Sequence, residues 1–320
     1  MNALEQLKEM TTVVADTGDI NAIAIYRPRD ATTNPSLILK AVNDPRYAHL
    51  VDEAVSFGKQ YSQGYEGKLT LALSRVSVNF GVEILKTIPG RVSTEVDARV
   101  SFDPDGTISY ARNLILLYEN AEIHRDKVLV KIASTWEGIQ AARMLEQDGI
   151  HCNLTLSFGL VQGIASAQAG ATLISPFVGR ITDWYKKELK KGGFPVDEDP
   201  GVLAVRRLYH SLKEHGYSTE IMGASFRSPE QVLALAGCDL LTISPELLQE
   251  LEKLDGYVDR VLSLPDAAAE SKANVKVTEN MFRWMLNEDK AATELLADGI
   301  RRFAADTIKL EEMIKRKLAE

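Results

Sequence analysis

The chain has 320 residues, 45% hydrophobic, 26% charged and 7% aromatic, an ordinary composition for a globular protein. Its formal net charge of −8 excludes a broadly basic nucleic-acid or anionic-membrane surface, so a phosphate ligand would need cations placed locally. No uninterrupted apolar run is long enough to span a bilayer, and the opening Met1-Asn2-Ala3-Leu4-Glu5-Gln6-Leu7-Lys8 lacks the apolar stretch of a signal peptide, so a cytoplasmic protein is expected.

In chain order, short apolar or β-branched runs at 12–15, 30–33, 92–96, 128–133, 152–156, 173–177, 220–225 and 240–243 predict strands. Helical patterns at 53–60, 74–87, 108–120, 136–148 and 202–215 fall between them. Strands alternating with helices imply parallel βαβ units, and eight is the number of strands that closes a barrel. The alternative, a doubly wound open sheet, calls for a glycine-rich phosphate loop after the first strand, which Asp16-Thr17-Gly18-Asp19 is not.

Asn34-Pro35, Asp199-Pro200, Ser228-Pro229 and Ser244-Pro245 each pair a capping residue with proline at the first helical position. Ser134-Thr135-Trp136-Glu137 reads as a capping box, which makes Glu137 structural. Gly192-Gly193-Phe194-Pro195, running on to Asp199, reads as a long loop on the face where strands lead into helices. Residues 255–278 have weak periodicity and read as an irregular connection. From about 279 to 318 a helical segment is expected to pack on the barrel. Its main part, 293–318, is amphipathic, with Leu296, Ile300, Phe303, Leu310 and Ile314 toward one side. The expected architecture is α/β: a (β/α)8 TIM barrel in one domain over 1–320, with additional helices including a long C-terminal one.

The informative residues are the polar ones on the inward parity. In Val128-Leu129-Val130-Lys131-Ile132-Ala133, alternation sends Val128, Val130 and Ile132 toward the helices and Leu129, Lys131 and Ala133 inward. The same test turns Asp16, Thr32, Asn34, Ser93, Glu95, Asn153, Thr155, Ser175, Phe177 and Ser225 toward the barrel mouth, with Arg227 just beyond and Arg180 close after the sixth strand. A barrel built for stability alone would fill most of these positions with aliphatics. Each residue has a plainer reading: Asp16 as a turn residue, Glu95 as an ion-pair partner for Arg99, Asn34 and Ser225 as caps, Arg180 and Arg227 as surface cations. Cys152 and Cys238 lie in apolar stretches and read as reduced, buried thiols. The five histidines lack metal-ligand spacing, so no metal site is expected.

A desolvated lysine loses its proton more readily than one in water. The free amine can attack a ketone, and the protonated imine so formed is an electron sink for breaking an adjacent C–C bond. Asp16 suits the base that such cleavage needs, and Glu95 and Thr155 suit a water that shuttles protons. Arg180, Arg227 and Ser225 offer charge-assisted hydrogen bonds to a phosphate.

These segments also carry a resemblance. Val13-Val14-Ala15-Asp16-Thr17-Gly18-Asp19, Asp30-Ala31-Thr32-Thr33-Asn34-Pro35-Ser36, Ser93-Thr94-Glu95-Val96-Asp97-Ala98-Arg99, Leu129-Val130-Lys131-Ile132-Ala133-Ser134-Thr135-Trp136, Asn153-Leu154-Thr155-Leu156, Ser175-Pro176-Phe177-Val178-Gly179-Arg180 and Met222-Gly223-Ala224-Ser225-Phe226-Arg227 closely resemble the transaldolase family of the pentose phosphate pathway. The resemblance runs over nearly the whole chain. It implies a Schiff base on Lys131, Asp16 as general acid and base, and a water positioned by Glu95 and Thr155. Thr32, Asn34, Asn153 and Ser175 would bind hydroxyls of a dihydroxyacetone unit, and Ser225, Arg180 and Arg227 the phosphate. It further implies sugar-phosphate substrates, no cofactor and a cytoplasmic homodimer. Phe177 stands where related fructose-6-phosphate aldolases tend to carry tyrosine, which favours transfer over plain cleavage. The chain departs from the family pattern at Ser157-Phe158-Gly159-Leu160-Val161-Gln162-Gly163. Rival readings are a lysine-dependent aldolase that releases dihydroxyacetone, and a catalytically silent barrel that binds a sugar phosphate or a partner protein.

Overall fold

The computed structural model describes residues 1–264 and 275–320. Eight strands close into a barrel in sequence order: β1 Thr12–Asp16, β2 Asp30–Thr32, β3 Val92–Glu95, β4 Val128–Ala133, β5 Cys152–Ser157, β6 Leu173–Pro176, β7 Glu220–Gly223 and β8 Leu240–Ile243. Every neighbouring pair is parallel, and β8 closes on β1 with Val14 opposite Thr242.

Alternation of residues builds the two apolar layers. Val128, Val130 and Ile132 of β4 belong to the large core between strands and helices. Leu129 points the other way and joins Val14, Leu173, Met222 and Leu240 in a plug inside the barrel. Two residues further along each of those strands or its continuation stand Lys131, Asp16, Ser175, Ala224 and Thr242. The barrel is therefore oily at its N-terminal end and mostly polar at its C-terminal mouth, where (β/α)8 enzymes build their sites.

Caps at the junctions follow the expected pattern in four places. Asn34, Asp199, Ser228 and Ser244 each accept from backbone amides of the helix whose first residue is the next proline. The capping box at Ser134 is not formed. Ser134 N bonds Thr155 O and so prolongs the β4–β5 pairing, which delays the helix by one residue. Thr135 caps Trp136–Gln147 instead, and Glu137 pairs with Arg283 at 2.5 Å. β7 stops at Gly223, short of the expected 225, and Ser225 beyond it takes a left-handed φ of +61°. The expected helices at 53–60 and 74–87 lie mainly within the longer Ala48–Tyr61 and Tyr65–Leu85. The loop before Asp199 returns the chain to the start of Val178–Glu188, where Asp199 accepts from Thr182 Oγ1 at 2.6 Å.

The described parts of the 255–278 connection contain no helix or strand, and 265–274 lie outside the described residues. Beyond it come Glu279–Glu288 and the long helix Lys290–Ala319. Leu296, Ile300 and Phe303 of the long helix are buried against Ala133, Leu156, Phe177 and Ala224, at the C-terminal ends of β4 to β7. Leu310 and Ile314 continue the same stripe onto Ile38, Val51 and Val76. The C-terminal helix thus lies along one side of the barrel mouth. Among the described residues no helix is long and apolar enough to cross a membrane, and both cysteines are free and buried.

Candidate active site

Asp16, Thr32, Asn34, Lys131, Ser175, Phe177, Arg180 and Ser225 line a single cavity of about 70 Å³ at the barrel mouth, together with Met222, Ala224 and Thr242. Glu95, Asn153 and Thr155 stand behind this lining, and Arg227 lies outside it. A larger depression, about 1160 Å³, is at the opposite end around Thr12, Asp30 and Glu220, where the strands begin.

Register brings two buried ionisable groups together, since Glu95 of β3 sits opposite Lys131 of β4. The Lys131 side chain is 5% exposed, with Nζ 3.3 Å from Glu95 Oε2 and donating to Thr33 O at 3.0 Å. Burial pushes the Glu95 and Asp16 carboxyls above their ordinary pKa values, and the nearby Lys131 charge works against that rise in both. Glu95 is not the partner of Arg99, which pairs with Asp97 and Glu311. Nor is Asp16 a turn residue: it ends β1, and Asp19 caps the following helix.

Hydroxyls and amides tie the mouth together. Thr32 Oγ1 lies 2.9 Å from Asp16 Oδ1 and 2.8 Å from Thr242 Oγ1. Ser175 Oγ donates to Asn153 Oδ1 at 2.6 Å, and Asn153 Nδ2 donates to Ser93 Oγ at 3.1 Å. Asn34 serves two ends: Oδ1 caps its helix through Leu37 N at 2.9 Å, while the residue also borders the cavity. Thr155 Oγ1 is buried and hydrogen-bonds to no protein atom among the described residues.

Arg180 forms the cationic side. Its guanidinium lies 4.9 Å from the Phe177 ring centroid and 5.5 Å from that of Phe303, and its buried Nη1 bonds no protein acceptor among the described residues. Gly179 lets this segment approach β7, since a Cβ there would fall 2.2 Å from Ser225 O. Ser225 is not a cap; its left-handed backbone turns it into the cavity wall. Arg227 is partly exposed, paired with Asp183 at 2.9 Å, and reaches Ser225 Oγ through Nη1 at 3.2 Å.

The segment after β5 is held by one side chain. Gln162 Oε1 accepts from Phe158 N and Gly159 N, both at 2.9 Å, while Nε2 donates to Ser134 O and Leu156 O. This fully satisfied amide fixes Phe158 edge-on to Phe177, with ring centroids 5.6 Å apart. Gly159 fits there because a Cβ would already stand 3.1 Å from Ala292 Cβ.

Two residues of the site escaped the sequence reading. The signal for Thr242 is the parity of Leu240-Leu241-Thr242-Ile243, in which it alternates with the inward Leu240. Phe303 has no local signal, because only the packing of the C-terminal helix carries it to Arg180.

The model of the family described as Transaldolase/Fructose-6-phosphate aldolase matches residues 13–314. A transaldolase of Alteromonas mediterranea is 55% identical over 318 residues, covering 99% of this chain and 99% of its own. That of Bos taurus is 53% identical over 318 residues, 99% of this chain and 94% of its own. That of Cellvibrio japonicus is 54% identical over 314 residues, 98% of each.

Proposed function

This chain belongs to the transaldolase/fructose-6-phosphate aldolase family, and from that premise we propose that it is a transaldolase, moving a dihydroxyacetone unit between sugar phosphates through a Schiff base on Lys131. The reaction is sedoheptulose 7-phosphate plus D-glyceraldehyde 3-phosphate giving D-erythrose 4-phosphate plus D-fructose 6-phosphate, in the non-oxidative pentose phosphate pathway. One observation carries the reading: the buried Lys131 amine touches Glu95 and shares its cavity with Asp16 and Arg180.

Lys131 Nζ, as the free amine, attacks the ketone carbon of the donor, and loss of water leaves a protonated imine. Asp16 takes the proton of the C4 hydroxyl. The C3–C4 bond then breaks, its electron pair moves toward the imine nitrogen, and C4 departs as the aldehyde of erythrose 4-phosphate. The enamine adds to the aldehyde carbon of glyceraldehyde 3-phosphate while Asp16 returns its proton to the new hydroxyl. Water held by Glu95 and Thr155 hydrolyses the imine and frees fructose 6-phosphate. Thr32, Asn34, Asn153 and Ser175 bind hydroxyls of the three-carbon unit; Arg180, Ser225 and Arg227 bind the phosphate.

Incubation with fructose 6-phosphate and borohydride, followed by peptide mass mapping, tests the mechanism: the adduct is expected on Lys131, and its absence there sinks the reading. Product analysis with and without acceptor aldehyde separates transfer from plain aldol cleavage, since rapid acceptor-independent release of dihydroxyacetone would mark an aldolase. The resemblance also supports a cytoplasmic, cofactor-free homodimer; sedimentation at micromolar concentration checks the dimer.

A further inference from the structure

Resting on the Lys131 and Asp16 roles above, we infer that Thr242 is a positioning residue for Asp16, acting through the hydroxyl of Thr32. β8 sets Thr242 beside β1, and the three oxygens form a chain: Thr242 Oγ1 to Thr32 Oγ1 at 2.8 Å, Thr32 Oγ1 to Asp16 Oδ1 at 2.9 Å. Thr242 and Thr32 are 3% and 2% exposed, so bulk water does not substitute for either partner.

Proton counting gives the chain its direction. A hydroxyl has one proton to donate and lone pairs to accept with. Ionised Asp16 only accepts, so Thr32 gives its proton to Oδ1 and Thr242 gives its own to Thr32. After Asp16 has taken the substrate proton it can donate to Thr32, which then turns its own proton toward Thr242. A terminal hydroxyl serves both states of the acid–base group. A methyl in its place serves neither: the ionised state loses a donor that strengthens the Thr32 bond, and the protonated state leaves Thr32 with a buried, unmatched proton. The charged groups facing Asp16 are Lys131 of β4, Glu95 of β3 and Arg180 after β6; none of them hydrogen-bonds to Thr242.

The test compares Thr242→Val with Thr242→Ser in the intact chain. The valine variant is expected to lose about tenfold in kcat, the upper end of the worth of one hydrogen bond between neutral groups. Its acid limb should move to lower pH, because the unmatched proton of the protonated state costs more than the weakened bond of the ionised one, while donor KM stays within about twofold because uniform binding is untouched. Serine should restore kcat and the limb. In an Asp16→Asn background, Thr242→Val should cost nothing more. An unchanged kcat and limb in the valine variant, a serine variant that behaves like valine, or an additive loss on Asp16→Asn overturns the inference. If the valine variant does not fold, Thr242→Ala removes the hydroxyl without adding bulk and reads the same quantities. Borohydride trapping keeps the two failures apart. A parent chain without a Lys131 adduct defeats the mechanism itself, whereas a trapped parent with an indifferent Thr242→Val defeats only this inference.

Discussion

Lys131 and Glu95 meet on adjacent strands with Nζ 3.3 Å from Oε2, their side chains 5% and 4% exposed. A carboxylate so close to the reacting amine is suited to moving protons while the imine forms and breaks; Asp16, tied to Thr32, is suited to the C–C step. The two roles can be separated. Glu95→Gln keeps the shape but not the proton exchange, and should slow borohydride trapping on Lys131 about 100-fold. Asp16→Asn should trap at the parental rate while turnover falls by about the same factor. A time course of trapping set beside a coupled turnover assay checks both; equal trapping rates in parent and Glu95→Gln would remove Glu95 from imine chemistry.

Asp16 should also cost the protein stability at the pH where it works. Burial raises its native pKa above the ordinary value of 3.8, so the native state holds this proton more tightly than the unfolded chain does. The resulting contribution is fully present below the unfolded value and is lost as pH rises through the raised native one. Asp16→Asn should therefore melt higher than the parent at pH 8, by about 2 °C for each kcal/mol relieved. That advantage should shrink as both are compared at pH 5 and lower. Calorimetry over that series checks the sign, and an advantage that grows toward acid would refute it.

The C-terminal helix reaches the chemistry through Phe303, which is 1% exposed and lies under Arg180. Phe303→Ala should cost about 3–5 kcal/mol of stability, as large-to-small core changes do. It should also free Arg180 to swing, raising KM for phosphorylated donors more than it lowers kcat. Phe303→Leu, which refills much of the volume without a π face, separates the two effects: stability largely recovers while the KM defect remains. Recovery of both would make the ring a packing element only.

What was legible in the sequence follows period-2 chemistry. Val128, Val130 and Ile132 could only face helices, which left Lys131 pointing inward; the same parity carried Asp16 and Ser175 to the mouth and Glu95 to the side of Lys131. Proline after a capping residue marked four helix starts because both signals are local. Features set by tertiary contact were not legible. Nothing near Ser225 announces its φ of +61°, which arises where the loop after β7 carries Gly179 N on its carbonyl at 2.9 Å. Thr135 rather than Ser134 caps its helix because a partner strand holds Ser134. The pairing of Arg227 with Asp183 likewise depends on where Val178–Glu188 packs.

On the proposed mechanism, Phe177 governs what becomes of the enamine. Its ring borders the Lys131 cavity, rests edge-on against Phe158 at 5.6 Å and faces the Arg180 guanidinium at 4.9 Å. An aromatic wall without a hydroxyl offers the enamine no proton, so the three-carbon unit waits for an acceptor aldehyde. Phe177→Tyr adds one donor at the same wall and little bulk. Release of dihydroxyacetone from fructose 6-phosphate without acceptor should rise about tenfold or more, within the range of a single positioned acid, while transfer to an acceptor falls. Trapping at Lys131 should persist, because the amine and its carboxylates are untouched. If the tyrosine variant releases no more dihydroxyacetone than the parent, commitment to transfer must come from somewhere other than the apolar character of this ring.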